Sequence, residues 1–173
     1  MSSFNQSVTE TLRDGSWVTI RPISRNDVDL ERQFIEGLSP RARRFRFLCS
    51  MNTPTEALLK QLTQIDTDHD AALIALAEDA NRQVEVGVAR FSAAPDGRAE
   101  VAVAVSDDWQ HKGLGTVLMQ RLIQVARSRG IKTLYSIDAA ANDSMRDLAT
   151  YLGFDRKADP EDATQVIHTL KLN

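Results

Sequence analysis

Gln110, Gly113 and Gly115 lie at a junction where an apolar run gives way to an amphipathic helical segment. The apolar run covers residues 101–105, and the amphipathic segment covers residues 114–129. The first amides of a helix have no intrahelical partner, and they lie at the positive end of the helix dipole. The two glycines let a bulky anion approach the backbone, because no Cβ stands in the way. The junction therefore predicts a site for a phosphate group.

Three kinds of phosphate-binding loop compete for this junction. A dinucleotide fingerprint needs a third glycine at the place of Leu118, and a mononucleotide P-loop needs its lysine after the glycines, whereas Lys112 precedes them. The third pattern, Gln/Arg-x-x-Gly-x-Gly/Ala, fits Gln110, Gly113 and Gly115. It resembles the pyrophosphate loop of the GNAT superfamily of acetyl-CoA-dependent N-acetyltransferases. Three fixed positions also fit a helix that simply begins with glycines, so the surrounding elements must decide.

Periodicity and turn residues place these elements in an α/β fold. An alternating strand is predicted at residues 17–23, and capping signals predict helices near residues 27–38, 40–48 and 55–65. An antiparallel meander follows at residues 71–77, 84–91 and 99–105, in which Val84, Val86 and Val88 have period two. After the helix at 114–129 come a strand at 131–137, a helix at 142–152 and a strand at 164–172. We expect a mixed, mainly antiparallel sheet of six to seven strands flanked by helices.

Composition narrows the class of protein. The chain has 173 residues, of which 42% are hydrophobic and 26% charged, and this predicts one globular domain over residues 1–173. Residues 1–9 are polar and are expected to be poorly ordered. The net charge of -3 argues against nucleic acid or a membrane surface as the partner. The single cysteine and the lack of a signal-length apolar segment predict a cytoplasmic protein. The three histidines lack ligand spacing, so no metal is predicted.

A second motif strengthens the resemblance to the GNAT superfamily. Asn142 is followed at helical spacing by Met145 and Leu148 and then by the string Leu152-Gly153-Phe154. In the family this asparagine follows the fifth strand, and Leu-Gly-Phe ends the next helix. The order of predicted elements also resembles the GNAT fold from about residue 17 to residue 172. The string Ile20-Arg21-Pro22-Ile23 points to the catalytic domain of bacterial protein lysine acetyltransferases.

The resemblance implies that acetyl-CoA is the co-substrate. The amides of residues 111–116 are expected to bind its pyrophosphate, and the backbone of Val103 and Val105 is expected to pair with the pantetheine arm. Gln110 is expected to stabilise the loop or a phosphate. Asn142 is expected to bond near the pantetheine or the loop, which is compatible with a helix N-cap. The loop residues are His111, Lys112, Gly113, Leu114, Gly115 and Thr116; Lys112 fits either a phosphate ligand or a solvated lysine.

Glu100 is the predicted catalytic base. Acetyl transfer needs an unprotonated amine, but a lysine-type amine has a pKa of roughly 10.4. A nearby carboxylate would help to remove the proton. The strand places Glu100 on one face with Ala102 and Ala104, whose small side chains would leave a groove. The segment looks like the one that carries the catalytic carboxylate in protein lysine acetyltransferases, although a plain surface glutamate is the alternative.

A tyrosine that many family members use as the general acid is missing. Its place, four residues before the glycine of Leu-Gly-Phe, is Ala149. Tyr151 lies two residues further, which turns it about 200° away on a helix, so it cannot inherit the role. A CoA thiol can leave without a strong acid. Alanine at this position again resembles the bacterial protein lysine acetyltransferases.

The sequence predicts direct acetyl transfer to a primary amine, with a protein lysine as the preferred acceptor. A small-molecule amine is the second candidate, and a CoA-binding regulatory domain without turnover is the third. Burial of Glu100 in an ion pair would favour the regulatory domain. No fused sensing domain is recognised, so regulation by one is not expected. The last strand could be shared in a homodimer.

Overall fold

The computed structural model describes residues 5–173 as one large sheet with helices on both faces. The strands are β1 (Val8–Thr11), β2 (Trp17–Pro22), β3 (Asp70–Asp79), β4 (Arg82–Ala93), β5 (Arg98–Val105), β6 (Thr133–Ala139), β7 (Asp155–Ala158) and β8 (Gln165–Lys171). The helices are α1 (Val28–Gly37), α2 (Pro40–Phe47), α3 (Glu56–Thr63), α4 (Leu114–Ser128) and α5 (Asp143–Leu152). Single 3₁₀ turns precede α1 and follow β5.

Within residues 5–173 the strand order is β1-β2-β3-β4-β5-β6-β8-β7, and only the β5–β6 pair is parallel. The α/β class and the β3-β4-β5 meander are confirmed. The β5–β6 pairing joins only residues Arg98 to Glu100 with Thr133 to Tyr135. Beyond Glu100 the two strands separate, and the gap between them is the feature around which the site is built.

The sheet has eight strands rather than six or seven, because two short edge strands carry weak signals. Residues 8 and 9, which were expected to be poorly ordered, belong to β1, which pairs with β2. Glu10 of β1 also forms an ion pair with Arg121 of α4. Residues 1–4 of that prediction lie outside the described part of the chain. Strand β7 is exposed at every residue and has no apolar face for periodicity to detect.

Two apolar clusters hold helices on opposite faces of the sheet. On one face α4 contributes Leu114, Leu118, Met119 and Leu122, all buried, and on the other face α1 and α3 contribute Phe34, Ile35 and Leu59. Gly87 of β4 lets α4 come close, because a Cβ there would lie 3.0 Å from Leu118 Cδ1. This close packing fixes the N-terminus of α4 beside the end of β5.

A bulge in β4 changes which residues share a face. The register against β3 shifts so that Gly87 pairs with Ala75 whereas Glu85 pairs with Leu76. Val86 therefore packs on the α4 side, but Val88 packs on the side of α1 and α3. The period-two pattern predicted both valines on one face, which is wrong. Sequence periodicity cannot reveal an extra residue that has no partner in the neighbouring strand.

Candidate active site

A cavity of about 960 Å³ opens where β5 and β6 separate. Its walls are the second half of β5, the loop before α4, the end of β6, and the facing sides of α2 and α5. One end of the cavity is formed mainly by backbone, and the other end is formed by charged side chains. We name them the loop end, residues 105–116, and the carboxylate end, around Glu100 and Asp138.

At the loop end, six successive amides have no acceptor. The backbone N–H groups of residues 111–116 donate no hydrogen bond to any residue between 5 and 173, and no side chain caps α4. The first bond of the helix runs from Val117 N to Gly113 O, 3.1 Å. His111 has φ +64° and Gly113 has φ +86°, and left-handed residues turn successive amides toward one concave side. Such a cluster of donors suits a phosphate.

Gly115 is not required by packing within the protein. A Cβ at this position would lie 3.5 Å from Leu148 Cδ2 and 3.8 Å from Val105 Cγ2, which are ordinary contacts. The sequence pattern accepts glycine or alanine at this position, which agrees with the space available for a Cβ. The structure therefore has room for alanine at Gly115.

The backbone of β5 offers unused groups to the gap. Ser106 N donates to Val86 O at 2.9 Å, so the backbone groups of Ser106 face β4. Those of Val105, one residue earlier, face away from β4, and Gln110 Nε2 donates to Val105 O at 3.4 Å from that side. By alternation, the N–H and C=O of Val103 also face the gap. Gln110 thus ties the loop to the strand end.

Lys112 is engaged within the protein. Its Nζ lies 3.1 Å from Asp14 Oδ2 and 4.5 Å from the ring centroid of Trp109, which packs against the core. Hydrogen bonds from Ser16, and then the interaction with Lys112, lower the pKa of Asp14 to about 2. Lys112 was predicted to be either a phosphate ligand or a solvated lysine. Because it has a partner on the protein, Lys112 is not a freely solvated lysine.

Asn142 lies at the N-terminus of α5, on the cavity wall. Its Oδ1 accepts a hydrogen bond from Met145 N at 3.1 Å, so the predicted N-cap is confirmed. No hydrogen bond from its Nδ2 is found within residues 5–173, and that group remains able to donate into the cavity.

At the carboxylate end, Glu100 is exposed and lines the cavity with Ala102 and Ala104. Within residues 5–173 it forms no ion pair, so the buried pair that would favour a domain without turnover is not found. Arg46 of α2 is half-buried in the adjoining wall. Burial, followed by the positive charge of Arg90, lowers the pKa of Arg46 to about 10, yet three carboxylates favour its charged form: Glu31, Glu100 and Asp138.

A second carboxylate, Asp138 of β6, is fixed by two buried side chains. Its Oδ2 accepts from Ser136 Oγ at 2.5 Å and lies 2.8 Å from His168 Nδ1. Ser136 and His168 are almost fully buried, whereas the Asp138 side chain is 15% exposed and lines the cavity. Its Oδ1 makes no hydrogen bond within the described residues, so one oxygen is left for a ligand.

The helix α5 places no tyrosine side chain deep in the cavity. Ala149 is 1% exposed and packs in the apolar cluster, whereas Tyr151 is 68% exposed on the rim. The opposite orientations confirm that Tyr151 does not take the place of the missing tyrosine.

Comparison with known proteins identifies the family. The profile of the acetyltransferase (GNAT) family matches residues 40–154, which include β5, the loop, α4 and α5. This chain belongs to the GNAT acetyltransferase family. It is 48% identical over 164 residues to Acetyltransferase PA5475 of Pseudomonas aeruginosa, covering 94% of this chain and 88% of that protein.

Two further relatives agree with this assignment. Acetyltransferase Pat of Mycolicibacterium smegmatis is 31% identical over 160 residues, covering 88% of this chain and 46% of that protein. The GNAT domain of S. lividans PAT superposes with a TM-score of 0.86 at 24% identity, covering 96% of this chain and 97% of that domain. The latter likeness confirms the fold of this acetyltransferase.

The structure brings the predicted site residues of the acetyltransferase to one cavity and adds two that the sequence did not single out. Glu100, Val103, Val105, Asn142 and most of the loop line the same space. Asp138 was missed because its partner His168 is 30 residues away, and Arg13 was missed because the N-terminal segment carries no motif. For Asp138 the available signal was a lone aspartate near the end of a predicted strand.

Within residues 5–173, no helix combines the length and apolar character that a membrane span requires. In that same range, His, Cys, Asp and Glu side chains form no group of three or more that could hold a metal ion.

Proposed function

We propose that this acetyltransferase moves an acetyl group directly from acetyl-CoA to a primary amine, and that the acceptor is a protein lysine. The observation that carries the proposal is the open gap between β5 and β6, with free amides at one end and free carboxylate oxygens at the other. Donor and acceptor substrates can enter from opposite ends and meet in this gap, which makes a covalent enzyme intermediate unnecessary.

The residues of the loop end fit acetyl-CoA. The amides of residues 111–116, together with the N-terminus of α4, would bind the pyrophosphate. The backbone of Val103 and Val105 would pair with the amide groups of the pantetheine arm, as a neighbouring strand would. Asn142 Nδ2 would hold the arm from the other side, and Gln110 would keep the loop in place. Acetyl-CoA supplies the activated acyl group.

Glu100 would act as the general base. An ammonium substrate gives a proton to Glu100, directly or through water, and its nitrogen then attacks the thioester carbon. The C–S bond would break as the amide forms, and the nitrogen would give its second proton to water. Glu100 would return its proton to solvent, and the CoA thiolate would take up one proton. Because Ala149 offers no acid, solvent would supply that proton.

The carboxylate end favours a cationic amine on a large molecule as the acceptor. Glu100 and Asp138 both present carboxylate oxygens to the cavity. The rim carries Tyr151, 68% exposed, and Leu48, 40% exposed, which offer apolar contacts outside the cavity. A small amine would reach the carboxylates without using this rim, whereas the residues on either side of a protein lysine would contact it.

A thiol-release assay with acetyl-CoA tests the proposal against its two alternatives. Lysine-containing peptides should release CoA and gain one acetyl group on the lysine Nζ, detected by mass spectrometry. Turnover with small amines alone would assign the second candidate. Acetyl-CoA binding by calorimetry without turnover on either panel would assign a regulatory domain, and absence of binding would end the proposal.

We propose a cytoplasmic location, a single domain over residues 1–173, no metal, and neither nucleic acid nor membrane as partner. A homodimer remains open, but the last strand is not free to form it: β8 pairs with β6 on one edge and with β7 on the other. A shared β8 would require exchange of strands between subunits.

A further inference from the structure

The turn between β1 and β2 lies against the phosphate-binding loop. Leu12 is buried in the core, and Leu12 N donates to Ser16 O at 2.7 Å, which closes the turn. Arg13 N then donates to Lys112 O at 3.3 Å, and Asp14 pairs with Lys112 Nζ at 3.1 Å. A backbone bond and an ion pair therefore hold the turn, residues 12–16, on the loop.

This attachment places the Arg13 guanidinium over Gly113. A Cβ on Gly113 would lie 3.1 Å from Arg13 Nε and 3.5 Å from Arg13 Cζ, so the side chain occupies the space that glycine leaves free. Arg13 also lines the cavity and is exposed to it. The guanidinium is thus beside the six free amides rather than on a distant surface.

In the part of the chain that the structure describes, no carboxylate pairs with the guanidinium of Arg13. Its side chain forms no hydrogen bond or ion pair with any residue between 5 and 173. Within the described residues, five other arginines bind carboxylates: Arg21, Arg32, Arg90, Arg121 and Arg146. The nearby carboxylate of Asp14 is used by Ser16 and Lys112. Two cations therefore lie at the loop with different roles: Lys112 fastens the turn, and Arg13, which belongs to the turn, has no partner among residues 5–173.

We propose that Arg13 binds a phosphate group of the acyl-CoA donor, so that the β1–β2 turn forms a second wall of the phosphate site. This inference rests on the proposed use of acetyl-CoA. A guanidinium matches phosphate oxygens with two parallel N–H groups, and its hydrogen bonds to an anion are stronger than neutral ones. The amides of the loop and the side chain of Arg13 would contact the phosphates from different sides.

The test compares Arg13→Gln with Arg82→Gln, an exposed arginine outside the cavity, in the full chain. We expect Arg13→Gln to raise the KM and Kd for acetyl-CoA by about tenfold at low salt with kcat little changed, as the loss of one charge-assisted contact predicts. Arg82→Gln should leave both constants unchanged. Arg13→Lys should recover part of the affinity, and high salt should reduce the difference between Arg13→Gln and the parent.

Truncated donors identify the phosphate. If Arg13→Gln weakens the binding of 3′-dephospho-acetyl-CoA as much as that of acetyl-CoA, Arg13 contacts the pyrophosphate. If it weakens the binding of acetyl-CoA alone, Arg13 contacts the 3′-phosphate. In both cases kcat/KM for S-acetylpantetheine, which has no phosphate, should be unchanged. An equal loss with S-acetylpantetheine, or no loss with acetyl-CoA, would overturn the inference. Failure of the parent protein to bind acetyl-CoA would instead overturn the proposed function.

Discussion

The two ends of the cavity are built in different ways. The loop end consists of backbone groups from one short stretch, residues 105–116, set by the start of α4 and by two left-handed residues, His111 and Gly113. The carboxylate end consists of side chains from three elements: Glu100 from β5, Arg46 from α2 and Asp138 from β6. The first end is local in sequence, and the second exists only when the sheet has formed.

The two ends of the cavity therefore depend on different features of the sequence. Amide donors are present whatever the side chains are, so the loop end depends on glycine and on helix geometry. The carboxylate end depends on the identity of each side chain and on the packing of α2 against the sheet. The donor substrate is therefore encoded by a motif, and the acceptor by a set of scattered positions.

The largest effect is expected at the loop end. Gly115→Asp places a carboxylate where the phosphates should bind, and it should lower acetyl-CoA affinity by about 100-fold, equivalent to about 2.8 kcal/mol, in calorimetry. Gly113→Asp should do the same and also strain the backbone, because φ is +86°. Gly115→Ala is the matched control, with room for its Cβ. Unchanged affinity in both aspartate variants would refute the phosphate site.

Glu100→Gln should produce the next largest effect, at the other end. We expect kcat to fall by about 100-fold, the lower range for loss of a general base, with little change in acetyl-CoA affinity. The acid limb of the pH–rate profile should be lost as well. Glu78→Gln, an exposed glutamate at the end of β3, is the control with the same charge change. Turnover and pH profile equal to the parent would show that Glu100 is a surface residue only.

Asp138→Asn tests whether the carboxylate end recognises the charge of the acceptor. The variant keeps the size of the side chain but loses its negative charge, so the KM for a lysine peptide should rise by about tenfold. The KM for acetyl-CoA should stay constant. Asp68→Asn, exposed and outside the cavity, should change neither constant. A change in the KM for acetyl-CoA alone would mean that Asp138 contacts the donor substrate.

A buried acidic pair, Glu31 of α1 and Glu85 of β4, lies where α1 packs on the sheet. Glu85 and Glu31 are both buried, and neither Glu85 oxygen finds a donor within the described residues. Burial, and then the negative charge of Glu31, raise the pKa of Glu85 well above its ordinary value. Arg90 binds Glu31 at 3.1 Å and only partly offsets the charge.

The raised pKa of Glu85 gives the smallest predicted effect, on stability and not on catalysis. Between the ordinary and the raised pKa, the folded protein keeps a proton that the unfolded chain releases, so stability falls as pH rises. Glu85→Gln keeps the neutral, donating form, so its melting temperature relative to the parent should increase from about pH 5 to about pH 8. Glu78→Gln should show no such trend. A pH-independent difference would mean that Glu85 is ionised in the folded protein.

The sequence predicted most of the architecture because its helices carry capping signals and its central strands carry apolar alternation. Asn142 caps its helix as expected, and the strand predicted at residues 71–77 is part of β3. Strands β1 and β7 could not be predicted, since polar edge strands lack an apolar face. Arg46 of α2 is half-buried in the cavity wall, and its position there depends on how α2 packs on the sheet.

The sequence by itself determined the loop end of this acetyltransferase, because glycines, a helix start and a preceding strand all lie within about 15 residues. Tertiary structure alone decided the rest. The separation of β5 and β6 opens the cavity, the β4 bulge turns Glu85 under α1, and the β1–β2 turn brings Arg13 over Gly113. These contacts join residues far apart in the chain, and neither periodicity nor a local motif contains information about which distant segments meet.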